Sequence, residues 1–219
     1  MDFLALQDLT VSYLDDLNYG YFTQTQVKVW VNQAKNEVQK RLIKAGANYY
    51  TKAVTTPTVI NQRYYTLPAD FRKINRLEIV TSGTIPNESS VQIQPITINQ
   101  IDLTVGGVGQ PQYYYIDKDC IVLQPAPDVA QTLRLMYTYS AADMTASTDV
   151  PDVPSQYHQL IALLATEDGF LKDGRTPEFI AKKIKEYDEM LYADSTDRQQ
   201  DTVRMIVSTG SDSAGSLYW

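Results

Sequence analysis

The feature that most constrains this chain is a double change of hydrophobic period. Apolar residues recur every three to four positions, then every second position, then every three to four again. Residues 3–18 fit a helix, with Phe3, Leu6, Leu9, Tyr13 and Leu17 on one stripe and Asn18-Tyr19-Gly20 as its stop. Thr23-Gln24-Thr25-Gln26 matches a capping box, in which hydroxyl and side-chain amide satisfy free backbone donors at a helix start. Val27, Trp30, Val31, Ala34, Val38, Arg41 and Leu42 extend that second stripe to Ala45, and Gly46 is its cap. The short link makes the pair an αα-hairpin.

From Lys52 to Tyr139 the period is two. Leu133, Leu135, Tyr137 and Tyr139 alternate with Arg134, Met136 and Thr138, and Val91 and Ile93 alternate with Gln92 and Gln94. Prolines 57, 68, 86, 95, 111, 125 and 127 mark turns, bulges or edges, because proline fixes φ and removes a ladder donor. Asp117-Lys118-Asp119 reads as a hairpin loop. Helical period returns after Pro154, where Tyr157, Leu160, Ile161, Leu164 and Ala165 form a stripe that continues to Leu171. Thr176, Pro177 and Glu178 open a last helix with Phe179, Ile180, Ile184, Tyr187 and Leu191 on its apolar face. Its other face carries Lys182–Glu186 and Lys185–Glu189 at i,i+4 spacing and is read as solvated.

The expected fold class is α+β: a helical bundle of about four helices in two hairpins, an inserted small antiparallel β domain of about six strands, and an extended C-terminal arm. The expected boundaries are 1–51 with 152–206 for the helices, 52–151 for the β domain and 207–219 for the arm. The arm pairs a Gly/Ser-rich linker, Ser208–Ser216, with an apolar tip of Leu217, Tyr218 and Trp219. Ordering about 13 such residues costs roughly 13 kcal/mol. The arm is therefore expected to be mobile when free and to order on assembly.

Charge narrows the function. The chain carries 19 basic and 26 acidic side chains, net −7. Residues 1–52 hold 6 basic and 5 acidic groups, 53–139 hold 6 and 7, and 140–219 hold 7 and 14, so the excess sits in the last third. A sequence-reading DNA binder needs a basic patch that neutralises phosphates, which this distribution does not provide. The longest apolar run, Leu160–Ala165, is far short of the ~20 residues that span a bilayer. No basic, apolar leader follows Met1, and the expectation is a soluble protein made inside the cell. One cysteine and one histidine exclude a disulfide framework and multi-histidine metal sites. Tyrosine is overused, 16 against 5 phenylalanines, a bias shared by interfaces and by half-exposed sheets.

Catalytic patterns are weak. His158 stands on a helix, where Ser155 and Glu167 cannot complete a triad with it, and is read as structural. Glu167 and Asp168 are adjacent and point in different directions, whereas a glycosidase needs two carboxyls facing one bond. Gly106-Gly107-Val108-Gly109 lacks the Lys-Ser/Thr of a P-loop and is read as a flexible loop tip. Cys120 is read as a small core residue in an apolar strand.

Four stretches then carry a resemblance. They are Phe22-Thr23 leading into Trp30, Asn32-Gln33-Ala34 and Glu37-Val38; Tyr64–Phe71 with Ile74; Gln110–Tyr115 with Ile121–Pro127 and Leu133–Tyr137; and Val153–Ile161 with Ala165. In this order, with a β insertion between two helical hairpins, the chain resembles the head–tail connector (adaptor) proteins of tailed bacteriophages. The tail accessory factors of short-tailed phages are especially similar.

The resemblance implies a structural protein, not an enzyme, with no cofactor and no metal, located in the virion at the head–tail junction after assembly in the host cytoplasm. It implies a homo-oligomeric, typically dodecameric, ring beneath the portal protein. Tail nozzle, fibre or spike proteins would dock below, and genomic DNA would pass during ejection without sequence-specific binding. It places portal docking on the arm, at Ile206, Val207, Leu217, Tyr218 and Trp219. Gly106, Gly107 and Gly109 are expected to make a distal or inter-subunit loop contact. A tail-tube or head-completion protein is the alternative. A wall-degrading hydrolase using Glu167 or Asp70, and a carbohydrate binder using exposed tyrosines, are the rivals from other classes.

Overall fold

The computed structural model describes residues 1–46, 48–83, 89–97, 99, 107–175 and 177–202, without the side chains of 197–202. The chain divides into two compact units, Met1–Ala47 with Val153–Trp219, and Asn48–Asp152.

Among its described residues the first unit holds four α-helices, in agreement with the periodicity. α1 is Phe3–Leu14, opened by the Asp2 carboxylate, which accepts the Ala5 N–H at 2.8 Å. It ends four residues earlier than its apolar stripe predicts. Asp15 turns left-handed at φ 57°, and Asp16 then accepts the backbone N–H groups of Gly20 and Phe22, each at 2.8 Å, and of Tyr21. That carboxylate cap competes with helix continuation, so Leu17 leaves the stripe and is 66% exposed. α2, Gln24–Lys44, starts at the predicted capping box: Gln26 N–H donates to the Thr23 hydroxyl, and Thr23 N–H donates to the Gln26 side chain. Its buried face includes Val27, Val31, Ala34, Val38 and Leu42, and also Lys35 and Gln39.

A single 3-10 turn, Ser155–Tyr157, leads into α3, His158–Lys172. Leu160 to Thr166 are all buried, and α3 packs against each of the other three helices. A helix apolar on every side belongs in the middle of a bundle. Gly169 sets one of these approaches, since a Cβ there would stand 2.8 Å from a Leu14 methyl. Leu171 falls outside the core, contrary to the extended stripe. α4, Glu178–Thr202, faces inward through Ile180, Ile184, Leu191 and Ser195. Phe179, predicted on that face, is 62% exposed, because it lies about 100° around the helix from Ile180. The predicted cap, Thr176, lies outside the described residues.

Among its described residues the second unit has eight strands, against the about six expected, in two four-stranded sheets. The first sheet runs in the order β1 (Thr51–Pro57), β8 (Thr132–Tyr139), β3 (Phe71–Ser82), β4 (Ser89–Gln92), with every pair antiparallel. The second runs β2 (Tyr64–Thr66), β7 (Cys120–Gln124), β6 (Tyr113–Asp117), β5 (Gln94–Pro95). Its β5–β6 pair is parallel, which corrects the purely antiparallel expectation. The two-residue strand β5 is too short to be visible as a period. The expected hairpin loop closes β6 onto β7, with Lys118 left-handed at φ 52°. Leu77, Ile79, Leu133 and Leu135 of the first sheet form the core with Ile121, Leu123 and Tyr65 of the second. Ile93 is buried where the chain passes from one sheet to the other. Cys120 is only half-buried at the start of β7, not the core residue expected.

Candidate functional site

The tyrosine surplus explains much of the local chemistry. Tyr137, Tyr139 and Tyr157 are buried rings whose hydroxyls donate to carboxylates: Tyr137 to Asp70 at 2.9 Å, Tyr139 to Asp152, and Tyr157 to Asp194 at 2.7 Å. Each pairing buries a large apolar face while its polar tip is satisfied. The Tyr139 hydroxyl is pushed well above its ordinary range by burial and by Asp152. Other tyrosines, Tyr21, Tyr64, Tyr113 and Tyr192, remain exposed.

In the β unit the carboxylate network is built at one end of the first sheet. Lys52 on β1 bonds Asp70 at 2.8 Å and lies 3.9 Å above the Tyr139 ring. The Lys52 hydrogen bond, helped by Tyr137, holds the Asp70 carboxyl below the usual range. A cavity of about 420 Å³ adjoins these groups, with Ser140–Met144, Asp149 and Asp152 in its wall. Asp70 is thus an ionised carboxylate committed to an ion pair and a hydroxyl, poorly suited to donate a proton. On the same sheet Glu78 is buried between Arg134, Arg76 and Ser90. Burial alone would raise its pKa, but the Arg134, Ser90 and Arg76 contacts outweigh that and lower it.

In the helical unit the polar contacts join helices to one another. Arg41 of α2 makes a double contact with Asp188 of α4 at 2.7 and 2.8 Å. Gln159 of α3 donates to the Tyr13 hydroxyl at 2.9 Å and accepts from Tyr187 at 2.7 Å, tying α1 and α4 to the central helix. His158 is buried, with Nε2 2.8 Å from the Val153 carbonyl and Nδ1 2.7 Å from the Met1 ammonium. A ring that donates from Nε2 and accepts at Nδ1 is neutral, and burial lowers its pKa accordingly. Glu167 lines a hollow of about 240 Å³ with Leu171, Arg175 and Pro177. Burial raises the pKa of its neighbour Asp168. Among the described residues no group of three or more His, Cys, Asp or Glu side chains could hold a metal ion.

The predicted site residues fall into two groups. Ile206, Val207, Leu217, Tyr218, Trp219 and Gly106 lie outside the described residues. Gly107 and Gly109 are pinned, not at a free tip: the Ala126 N–H donates to the Gly107 carbonyl, and the Gly109 N–H donates to the Ala126 carbonyl at 2.8 Å. A Cβ at Gly109 would rest 3.6 Å from Pro125, whereas one at Gly107 meets nothing within 4 Å. Sequence reasoning missed the carboxylates Asp152 and Asp194, for which the tyrosine count was an unread signal, and the backbone-capping Asp16.

The buried tyrosines and charged groups described above thus hold each unit together. The chain belongs to the SU10 adaptor protein family, whose model matches residues 1–209, and is thus a phage head–tail adaptor. No curated protein matches it. Among the described residues no helix is long and apolar enough to cross a membrane.

Proposed function

We propose that copies of this chain form a ring that joins the portal to the tail and continues the DNA channel. The observation that carries the reading is the family match across residues 1–209. An adaptor acts by geometry: it self-associates, then presents one surface to the portal and another to the tail. The arm, through Ile206, Val207, Leu217, Tyr218 and Trp219, is the proposed portal contact. Its apolar tip has the composition that such docking needs. The acidic excess of residues 140–219 supports a channel role, because like charge repels passing DNA instead of holding it.

The test is to mix the full chain with its portal and image the product, alongside a chain ending at Thr202. The expected result is a ring under the portal with the full chain and loss of portal binding with the truncated one. Failure to form a ring, with both chains behaving alike, would overturn the reading.

A further inference from the structure

The first sheet ends in two open edges of opposite polarity. Among the described residues, β1 pairs on one side only, with β8, and β4 pairs on one side only, with β3. A strand edge presents a row of unmatched N–H and C=O groups, and natural sheets usually defend it with inward charges, bulges or covering loops. β1 has little such defence. Its seven residues pair with β8 in unbroken register, its one charged residue is Lys52, already paired to Asp70, and Pro57 stands only at its end. β4, Ser89-Ser90-Val91-Gln92, carries no charge at all.

The two edges also match in face. Val54 lies opposite Leu135, Leu135 opposite Leu77, and Ile79 opposite Val91, so the two valines extend the same apolar inner face at its two ends. Both are left partly uncovered, Val54 at 37% and Val91 at 44% exposure, while the leucines and isoleucine between them are buried. Beside Val54 the two sheets part around a cavity of about 350 Å³, lined also by Leu67, Pro68, Ile121 and Leu133. An added strand bearing an apolar side chain at the right position would fill its mouth. Polarity decides which strand fits. β1 and β4 run in opposite directions along the sheet, so placing one sheet after another brings β4 antiparallel to the next β1.

We propose that the occupant is a second copy of this chain: Ser89–Gln92 of one copy pairs antiparallel with Ala53–Thr56 of the next, placing Val91 beside Val54 and Ser90 beside Thr55. The contact joins two different surfaces, so it repeats from copy to copy and generates a ring if the rotation closes. Four paired residues make a small contact. It sets direction and register in an assembly that other surfaces also hold. The inference rests on the self-association proposed above and names the edge that directs it.

Cysteine trapping in the full chain tests it, in a Cys120→Ser background that removes the native thiol. Opposed residues of an antiparallel pair come close enough for a disulfide. Val54→Cys with Val91→Cys is expected to give a ladder of dimers, trimers and higher covalent multimers on mild oxidation. Thr55→Cys with Ser90→Cys probes the same register on the sheet's other face, should the inner pair disturb packing. Each single variant is expected to stay unlinked. Dimers from Val54→Cys alone would mean that β1 pairs with β1 and would overturn the proposal. A ladder that appears only after deletion of residues 203–219 would do the same, by showing that the C-terminal segment occupies the edge. Light scattering on the same samples separates the two readings: multimers without a ladder overturn the strand pairing alone, and absence of multimers overturns self-association with it.

Discussion

The helical unit closes on itself and the β unit does not. In the first, one helix is surrounded: α3 buries Leu160 to Thr166 and touches α1, α2 and α4. In the second, two sheets share a core, but among the described residues β1 and β4 leave backbone edges and two valines uncovered. A bundle satisfies its backbone within each helix, whereas a sheet satisfies its own only as far as its last strand. Among the described residues the chain thus gives one unit whose backbone is satisfied within its helices and one that invites another strand.

The largest expected effect comes from breaking the surrounded helix. Ile161→Ala should destabilise the helical unit by about 3 kcal/mol, read by urea unfolding, because the residue is fully buried and its surroundings would relax only partly into the space. Hydrogen exchange should show the loss confined to residues of that unit. Next, Arg134→Ala leaves the buried Glu78 carboxylate with Arg76 as its cationic partner and should cost the β unit about 2 kcal/mol. An unchanged denaturation midpoint would refute that account.

Acid should separate the two units. His158 has a folded pKa below its ordinary 6.5, so its contribution is intact above pH 6.5 and is lost as the pH falls below that value. Glu78 is depressed from 4.5, so its contribution persists to about that pH and is lost only below it. Exchange protection measured from pH 7 to 3 should fall first in the helical unit, and His158→Phe should remove that early step. Thr23→Ala removes the capping box of α2 and should cost about 1 kcal/mol in thermal or urea unfolding. The smallest effect belongs to Lys185→Ala, whose exposed partner Glu189 stands 3.9 Å away; the change should stay below about 0.5 kcal/mol.

Local signals in the sequence were legible where one residue decided the outcome. The Thr23–Gln26 box fixed the start of α2, and the apolar stripe after Pro154 marked a helix, though not that it would be the central one. The hairpin at Lys118 was visible because both flanking strands end there. Non-local decisions were not visible. β1 pairs with β8 across some seventy intervening residues, and no period announces that partner. Bulges in β3 near Phe71–Arg76 disturb the alternation, so that its full length was hidden. Asp16 ended α1 by a carboxylate cap that a stripe of leucines cannot reveal. Lys35 and Gln39 were missed because polarity argues for solvent, yet both are buried. The interaction surfaces were the least legible part. An exposed valine on an edge strand looks, in sequence, like a core valine.

Tyr139 closes the β unit like a buckle. Tyr50, near its entrance, packs edge-on against the Tyr139 ring at 5.7 Å, and Asp152, at its exit, accepts the Tyr139 hydroxyl. Entrance and exit are therefore held at one place, which is the condition under which an inserted module can be exchanged without disturbing its host. A lineage of such proteins could replace everything between these two points, and so change what the insert engages, while inheriting the helical framework unaltered.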